Sequence, residues 1–244
     1  MTERITDRIE IVNADCYTLL DAWPSDAALV TDPPYGIGFK HSGRCNDRCI
    51  QSAETKARRK RTHARMIAND DRPFDPAAFL RFRFVLLWGA DHFRDRLPQG
   101  GTLLAWDKSV GKGPASSFVD CEFAWTNKPS VKRNICRFLW MGLACVKAGE
   151  DGGRRYHPNQ KPQGLCDWCI KTLALPSETL VIDPFMGSGS LGVACHRAGL
   201  RYLGVEIDPE HYATAKARLQ RETAQGLLCM PNEKLTGGLL PPNP

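Results

Sequence analysis

The chain has 244 residues, of which 42% are hydrophobic, and a formal net charge of +6. That length and apolar content suffice for one large domain with a substantial core. No apolar run approaches the roughly 20 residues that span a bilayer, and Met1 is followed by Thr2, Glu3, Arg4 and Asp7 rather than a signal peptide, so no membrane partner is expected and the cytoplasm is the expected location.

In chain order, strand-like apolar runs are expected at Ile9 to Asn13, Ala27 to Thr31, Phe84 to Trp88, Thr102 to Trp106, Glu122 to Thr126, Asn134 to Trp140, Leu180 to Asp183 and Tyr202 to Glu206. Between them, Cys16 to Trp23, Pro76 to Phe82, His92 to Leu97, Gln163 to Leu173, Ser190 to Ala198 and Pro209 to Gln220 read as helices. The alternation predicts an α/β fold, a parallel sheet with helices on both faces. One domain is expected over residues 1–222, followed by a flexible tail at 223–244. Two stretches interrupt it, a basic insert at 40–75 and a region at 108–158 whose two strands look like a hairpin.

The turn Asp32-Pro33-Pro34-Tyr35 follows an apolar strand. Two prolines donate no N–H and hold φ fixed, so the turn offers the Asp32 carboxylate and nearby carbonyls as rigid acceptors for an amine. Tyr35, with Phe39 beyond it, supplies aromatic faces on which a base could stack. A rigid turn without chemical work is the alternative for this motif alone.

The insert carries Lys56, Arg58, Arg59, Lys60, Arg61 and Arg65 against the single acid Glu54 between positions 54 and 65. Arg58, Arg59, Lys60 and Arg61 are candidates for phosphate contacts, set against a merely solvated charged face. The ten cysteines read as reduced thiols. Cys45 with Cys49, and Cys166 with Cys169, have metal-like spacing without the surrounding ligand pattern, so no metal is expected.

Further on, Asp183-Pro184-Phe185-Met186-Gly187-Ser188-Gly189-Ser190 links a strand to a helix, and Glu206 closes the next strand. Such a turn lets a nucleotide-like ligand approach backbone at a helix N-terminus, with an acid placed to grip ribose hydroxyls. The same spacing fits a dinucleotide site. That reading leaves the Asp32 turn and the basic insert without a role.

Taken together, the two motifs resemble the DNA methyltransferases that modify the exocyclic amine of adenine or cytosine. Because the Asp32 turn precedes the glycine turn, the order looks like the permuted beta class of that family, in a small, phage-like member. The resemblance implies a class I Rossmann-like fold and S-adenosylmethionine as cofactor. It also implies DNA as partner, and leaves room for a homodimer and a cognate restriction nuclease. It makes Asp32, Pro33, Pro34 and Tyr35 catalytic. It assigns Asp15, Cys16, Lys161 within Asn159-Gln160-Lys161-Pro162, Asp183, Phe185, Gly187, Ser188, Gly189 and Glu206 to the cofactor. The Asp at position 32 favours adenine N6; cytosine N4 and an inactive DNA-binding relative are the alternatives. None of the ten cysteines follows a proline, which argues against ring-carbon methylation of cytosine.

Overall fold

Alternating apolar positions on the central strands serve two separate cores, one on each face of a single sheet. In the computed structural model, which describes residues 2–38, 68–110, 120–138 and 160–226, Val30, Leu86, Trp88 and Val181 point into one core. Their neighbours Leu29, Val85, Leu87 and Ile182 point into the other. This two-sided burial is what a sheet covered on both faces requires.

The described strands are β1 (Thr2–Arg4), β2 (Ile9–Asn13), β3 (Ala28–Thr31), β4 (Phe84–Trp88), β5 (Thr102–Asp107), β6 (Cys121–Thr126), β7 (Ile135–Arg137), β8 (Leu180–Asp183) and β9 (Arg201–Glu206). They form one nine-stranded sheet in the order β1-β2-β9-β8-β3-β4-β6-β5-β7. β2, β9, β8, β3 and β4 run parallel, and β1 and β6 run antiparallel to their neighbours. The expected hairpin does not form: β5 lies between β6 and β7, pairing with both. Leu104 and Trp106 of β5 each bury their side chains in the core, so it is better covered between two strands than at the edge.

The α-helices α1 (Gln163–Leu173), α2 (Ser190–Arg197) and α3 (Pro209–Gly226) all contribute to the first core, through Leu165, Leu191 and Leu219 among others. The second face has no α-helix among the described residues. The expected helices at 16–23, 76–82 and 92–97 are 3-10 turns at Cys16–Thr18, Leu20–Ala22, Ala77–Phe79 and Arg94–Arg96. Those segments, of eight residues or fewer and bounded by Pro24, Pro76 and Pro98, are too short to offset helix nucleation. Large aromatics fill the space instead, with Phe74, Phe79, Phe82, Phe93 and Trp23 all buried.

α3 runs four residues into the stretch expected as tail, and Thr223 is buried with its hydroxyl bonded to the Leu219 carbonyl at 2.8 Å. The end of the expected insert also belongs to the body, since Asp70 and Phe74 are buried. No helix among the described residues is long and apolar enough to cross a membrane.

The topology locates the site. From β3 the chain steps to β4 on one side, whereas from β8 it steps to β9 on the other. Loops leaving adjacent parallel strands in opposite directions open a crevice at their carboxyl ends, where ligands of α/β sheets bind. Asp32 and Pro184 are the first residues beyond those two strands.

Candidate active site

The last residues of the two strands are tied together: the Thr31 hydroxyl donates to Asp183 Oδ1 at 2.7 Å. Asp183 Oδ1 also accepts from the Phe185 N–H at 3.4 Å and Oδ2 from the Tyr202 hydroxyl at 3.2 Å. Asp183 therefore works beneath the turns, setting their spacing. Burial pushes its carboxyl up to about 7 against those hydrogen bonds. The unfolded chain loses this proton near pH 4 while the fold keeps it to about pH 7, so the group's contribution to stability declines across that window. Melting temperatures of wild type and Asp183→Asn measured from pH 4 to 8 should diverge, wild type losing ground as pH rises; parallel curves would refute this.

Above β3, the Tyr35 hydroxyl donates to Asp32 Oδ1. The Tyr35 ring stacks on His92 with centroids 4.6 Å apart and planes 19° from parallel. Gly89, at φ +76°, sits so close that a Cβ there would lie 2.0 Å from Tyr35 Cε1. Gly89→Ala should therefore displace the ring and destabilise the protein by roughly 1 kcal/mol or more; an unchanged melting temperature would contradict the packing described. Asp70 holds the following residues, its carboxylate accepting from the Gly36 and Ile37 N–H groups at 2.8 and 3.3 Å. Its carbonyl takes the Gly38 N–H at 2.9 Å. Residues 36–38 and Asp70 are thus pinned together beside Tyr35.

Lys161 reaches this turn from the opposite direction. Its ammonium lies 3.2 Å from Asp32 Oδ2 and 2.7 Å from Glu122 Oε2. It also sits over the Trp88 and Trp106 rings, 5.4 and 5.9 Å from their centroids. Glu122 Oε1 takes a second ammonium, that of Lys108, at 2.8 Å. Burial raises the Asp32 carboxyl, with the Lys161 charge opposing it. Burial also works against the Lys161 ammonium, but Asp32, Tyr35 and Glu122 outweigh it and hold the group well above its ordinary value. Burial works against the Glu122 carboxylate too, yet Lys161 and Lys108 bring it down to about 2.

The glycine turn after β8 uses left-handed backbone at Gly187 and Gly189, φ +54° and +73°, which glycine adopts without steric cost. Glu206 at the end of β9 accepts from the Gly187 N–H and the Asp208 N–H, both at 2.9 Å. Burial pushes its carboxyl up to about 7. Asp15 follows β2, the strand paired with β9, and its carboxylate caps the Tyr17 N–H at 3.0 Å. Cys16 is buried, its thiol pushed up to about 12 by burial. Phe185 meets Phe74 and Phe79 edge-on or tilted, at 6.0 and 5.9 Å. Ser188 and Ser190 are buried against Arg218, whose guanidinium donates to Ser190 Oγ at 2.7 Å and Gln163 Oε1 at 3.1 Å.

Of the sequence-predicted residues, Asp32, Pro33, Pro34 and Tyr35 form the first turn, and Asp183, Phe185, Gly187, Ser188 and Gly189 the second. Asp15, Cys16 and Glu206 flank the second turn. Lys161 joins the two: its carbonyl accepts from Ser190 Oγ at 3.1 Å while its ammonium pairs with Asp32. Phe39, Arg58, Arg59, Lys60, Arg61 and Asn159 lie outside the described residues, as do Cys45 and Cys49. Cys166 and Cys169 are core side chains of α1. Sequence reasoning missed Glu122, Lys108, His92 and Arg218. An acid inside the apolar run Cys121-Glu122-Phe123-Ala124-Trp125 was the available signal for the first.

A DNA methylase family model for N6 and N4 enzymes matches residues 121–217. YubD of Escherichia coli (strain K12), named as a candidate methylase, is 27% identical over 240 residues, covering 88% of this chain and 93% of that one. Three type II methyltransferases match over 70 to 90 residues, about a third or less of their own length. In fold, the chain resembles the M1.HpyAVI–SAM complex, with TM-score 0.53, 21% identity and coverage of 86% of this chain and 98% of that one. It likewise resembles the cytosine-N4-specific PvuII DNA methyltransferase, with TM-score 0.51, 16% identity and coverage of 91% and 94%.

Proposed function

Because this chain belongs to the N6/N4 DNA methylase family, we propose that it moves the methyl group of S-adenosylmethionine onto the N6 amine of an adenine turned out of DNA. The observation that carries the reading is the pairing of β3 with β8, which sets the Asp32 acceptor turn beside the Gly187 turn.

The residues suit the cofactor. A carboxylate has about four acceptor positions, so Glu206 can take ribose hydroxyls while keeping the Gly187 and Asp208 N–H groups. Gly187 and Gly189 leave the backbone open to close approach at the start of α2, and Asp15 stands ready for the adenine amine. When bound, the cofactor supplies a methyl group on a sulfonium. Because Glu206 carries its proton to about pH 7, cofactor affinity should strengthen as pH rises through that value.

The base's amine is a weak nucleophile, its lone pair delocalised into the ring. Asp32 and a carbonyl of the proline turn accept its two hydrogens, which favours a pyramidal nitrogen and aims the lone pair at the methyl group. The new N–C bond leaves an extra proton on the amine, which Asp32 is placed to receive. Tyr35 offers its ring for stacking, worth about 1–3 kcal/mol. In this reading Phe39 and the basic run Arg58 to Arg61 hold the DNA around the extruded base.

The test is to incubate the protein with S-adenosylmethionine and unmethylated DNA, digest to nucleosides and weigh the products. N6-methyladenine supports the proposal. N4-methylcytosine keeps the mechanism and moves the substrate, and no methylated base on any DNA overturns both.

A further inference from the structure

Five polar side chains form an unbroken contact series: Lys108, Glu122, Lys161, Asp32 and Tyr35. The methyl-transfer reading uses only the last two. Lys108 and Glu122, from the end of β5 and the start of β6, are unaccounted for, although neither is exposed: their side chains are 13% and 29% accessible. Side chains of both signs are seldom held this far from water unless paired. Lys108 and Lys161 share one aromatic platform, at 5.6 and 5.9 Å from the Trp106 centroid. Two ammoniums over one ring repel each other, and Glu122 lies between them with one oxygen on each, at 2.8 and 2.7 Å. Its contact with Lys161 is shorter than that of Asp32, 2.7 against 3.2 Å.

We infer that Glu122, braced by Lys108, is a positioning residue that holds the Lys161 ammonium in place as the countercharge of Asp32. The inference rests on Asp32 as the amine acceptor. The four charges cancel as a set, so the acceptor keeps its negative charge in a half-buried pocket without leaving a lone ion there. Among the described residues, the other titratable groups that act on this set are Tyr35, Asp183 beneath Asp32, Cys169 on α1 and Cys121 beside Glu122.

The consequence has a definite sign. Glu122, Asp32 and Tyr35 hold Lys161 protonated against its burial. Removing the Glu122 charge leaves burial with less opposition, so the ammonium gives up its proton at lower pH. A neutral amine no longer pins the Asp32 carboxylate, which is then free to rotate. Glu122→Gln should lower kcat at least tenfold, because the Lys161 ammonium loses its fixed place, and should bring in an alkaline loss of activity that sets in at lower pH than in wild type. Glu122→Asp, which keeps the charge, should recover part of both. Lysine labelled with 13C at Cε gives an independent readout without DNA, the Lys161 signal being identified by its loss in Lys161→Arg. Its titration should move to lower pH in Glu122→Gln and return toward wild type in Glu122→Asp. Wild-type methylation with neither the alkaline limb nor the Lys161 titration moved overturns the inference. A moved titration in a protein that methylates no DNA supports the hold of Glu122 on Lys161 and overturns the methyl-transfer reading instead.

Discussion

Asp32→Asn is expected to reduce kcat for methyl transfer by roughly a hundred- to ten-thousand-fold, with the affinity for S-adenosylmethionine nearly unchanged. Asparagine preserves the side-chain shape and an oxygen for the Tyr35 hydroxyl. The substitution turns the oxygen that faces Lys161 into an NH2 group, or else presents that group to Tyr35. In either orientation one acceptor for the substrate amine is lost, and no group remains at this position to receive its proton. The Gly187 turn and Glu206 make no hydrogen bond to Asp32, so cofactor affinity has no reason to follow. Single-turnover kinetics alongside calorimetry separates the two effects. A normal rate would mean that the amine is activated elsewhere.

The second large effect is expected at the glycine turn. Gly187→Ala forces a Cβ onto backbone at φ +54° and adds bulk where the cofactor approaches. The strain costs on the order of 1 kcal/mol, and the crowding should raise the cofactor dissociation constant tenfold or more, about 1.4 kcal/mol. Gly199 supplies the control. It has φ +70° and open space around its Cβ position, so Gly199→Ala bears similar backbone strain far from the crevice. Calorimetry with S-adenosylhomocysteine should show weakened binding in the first variant alone. Equal affinity in both would remove Gly187 from the cofactor site.

Much of this architecture was legible in the sequence because it is written locally. The central strands are apolar runs bounded by turns, and the two catalytic-looking motifs follow them directly; β2, β4 and β8 run as expected, Ile9–Asn13, Phe84–Trp88 and Leu180–Asp183. Local pattern misled where tertiary packing decides. Cys16 to Trp23 has helical spacing, yet two 3-10 turns, with Cys16 and Trp23 in the same core as Phe79, cover that face without an α-helix. The spacing of Glu122 to Thr126 and Asn134 to Trp140 suggests a hairpin, but strand order depends on which neighbour buries Leu104 and Trp106, and that is not local information. The Lys108–Glu122–Lys161–Asp32 set was invisible for the same reason, since its members are brought together by three separate strand ends and the start of α1. The pairing of Asp183 with Thr31 likewise shows a motif acid working beneath the turn, a distinction that spacing alone does not draw.

The most direct test of the central claim, that the two turns make a single methyl-transfer site, is a crystal structure with S-adenosylhomocysteine bound. The account predicts the nucleoside on the Gly187–Gly189 turn, ribose hydroxyls on Glu206 and the sulfur directed toward Asp32. A cofactor bound away from the β3–β8 crevice, or with its sulfur turned from Asp32, would contradict it.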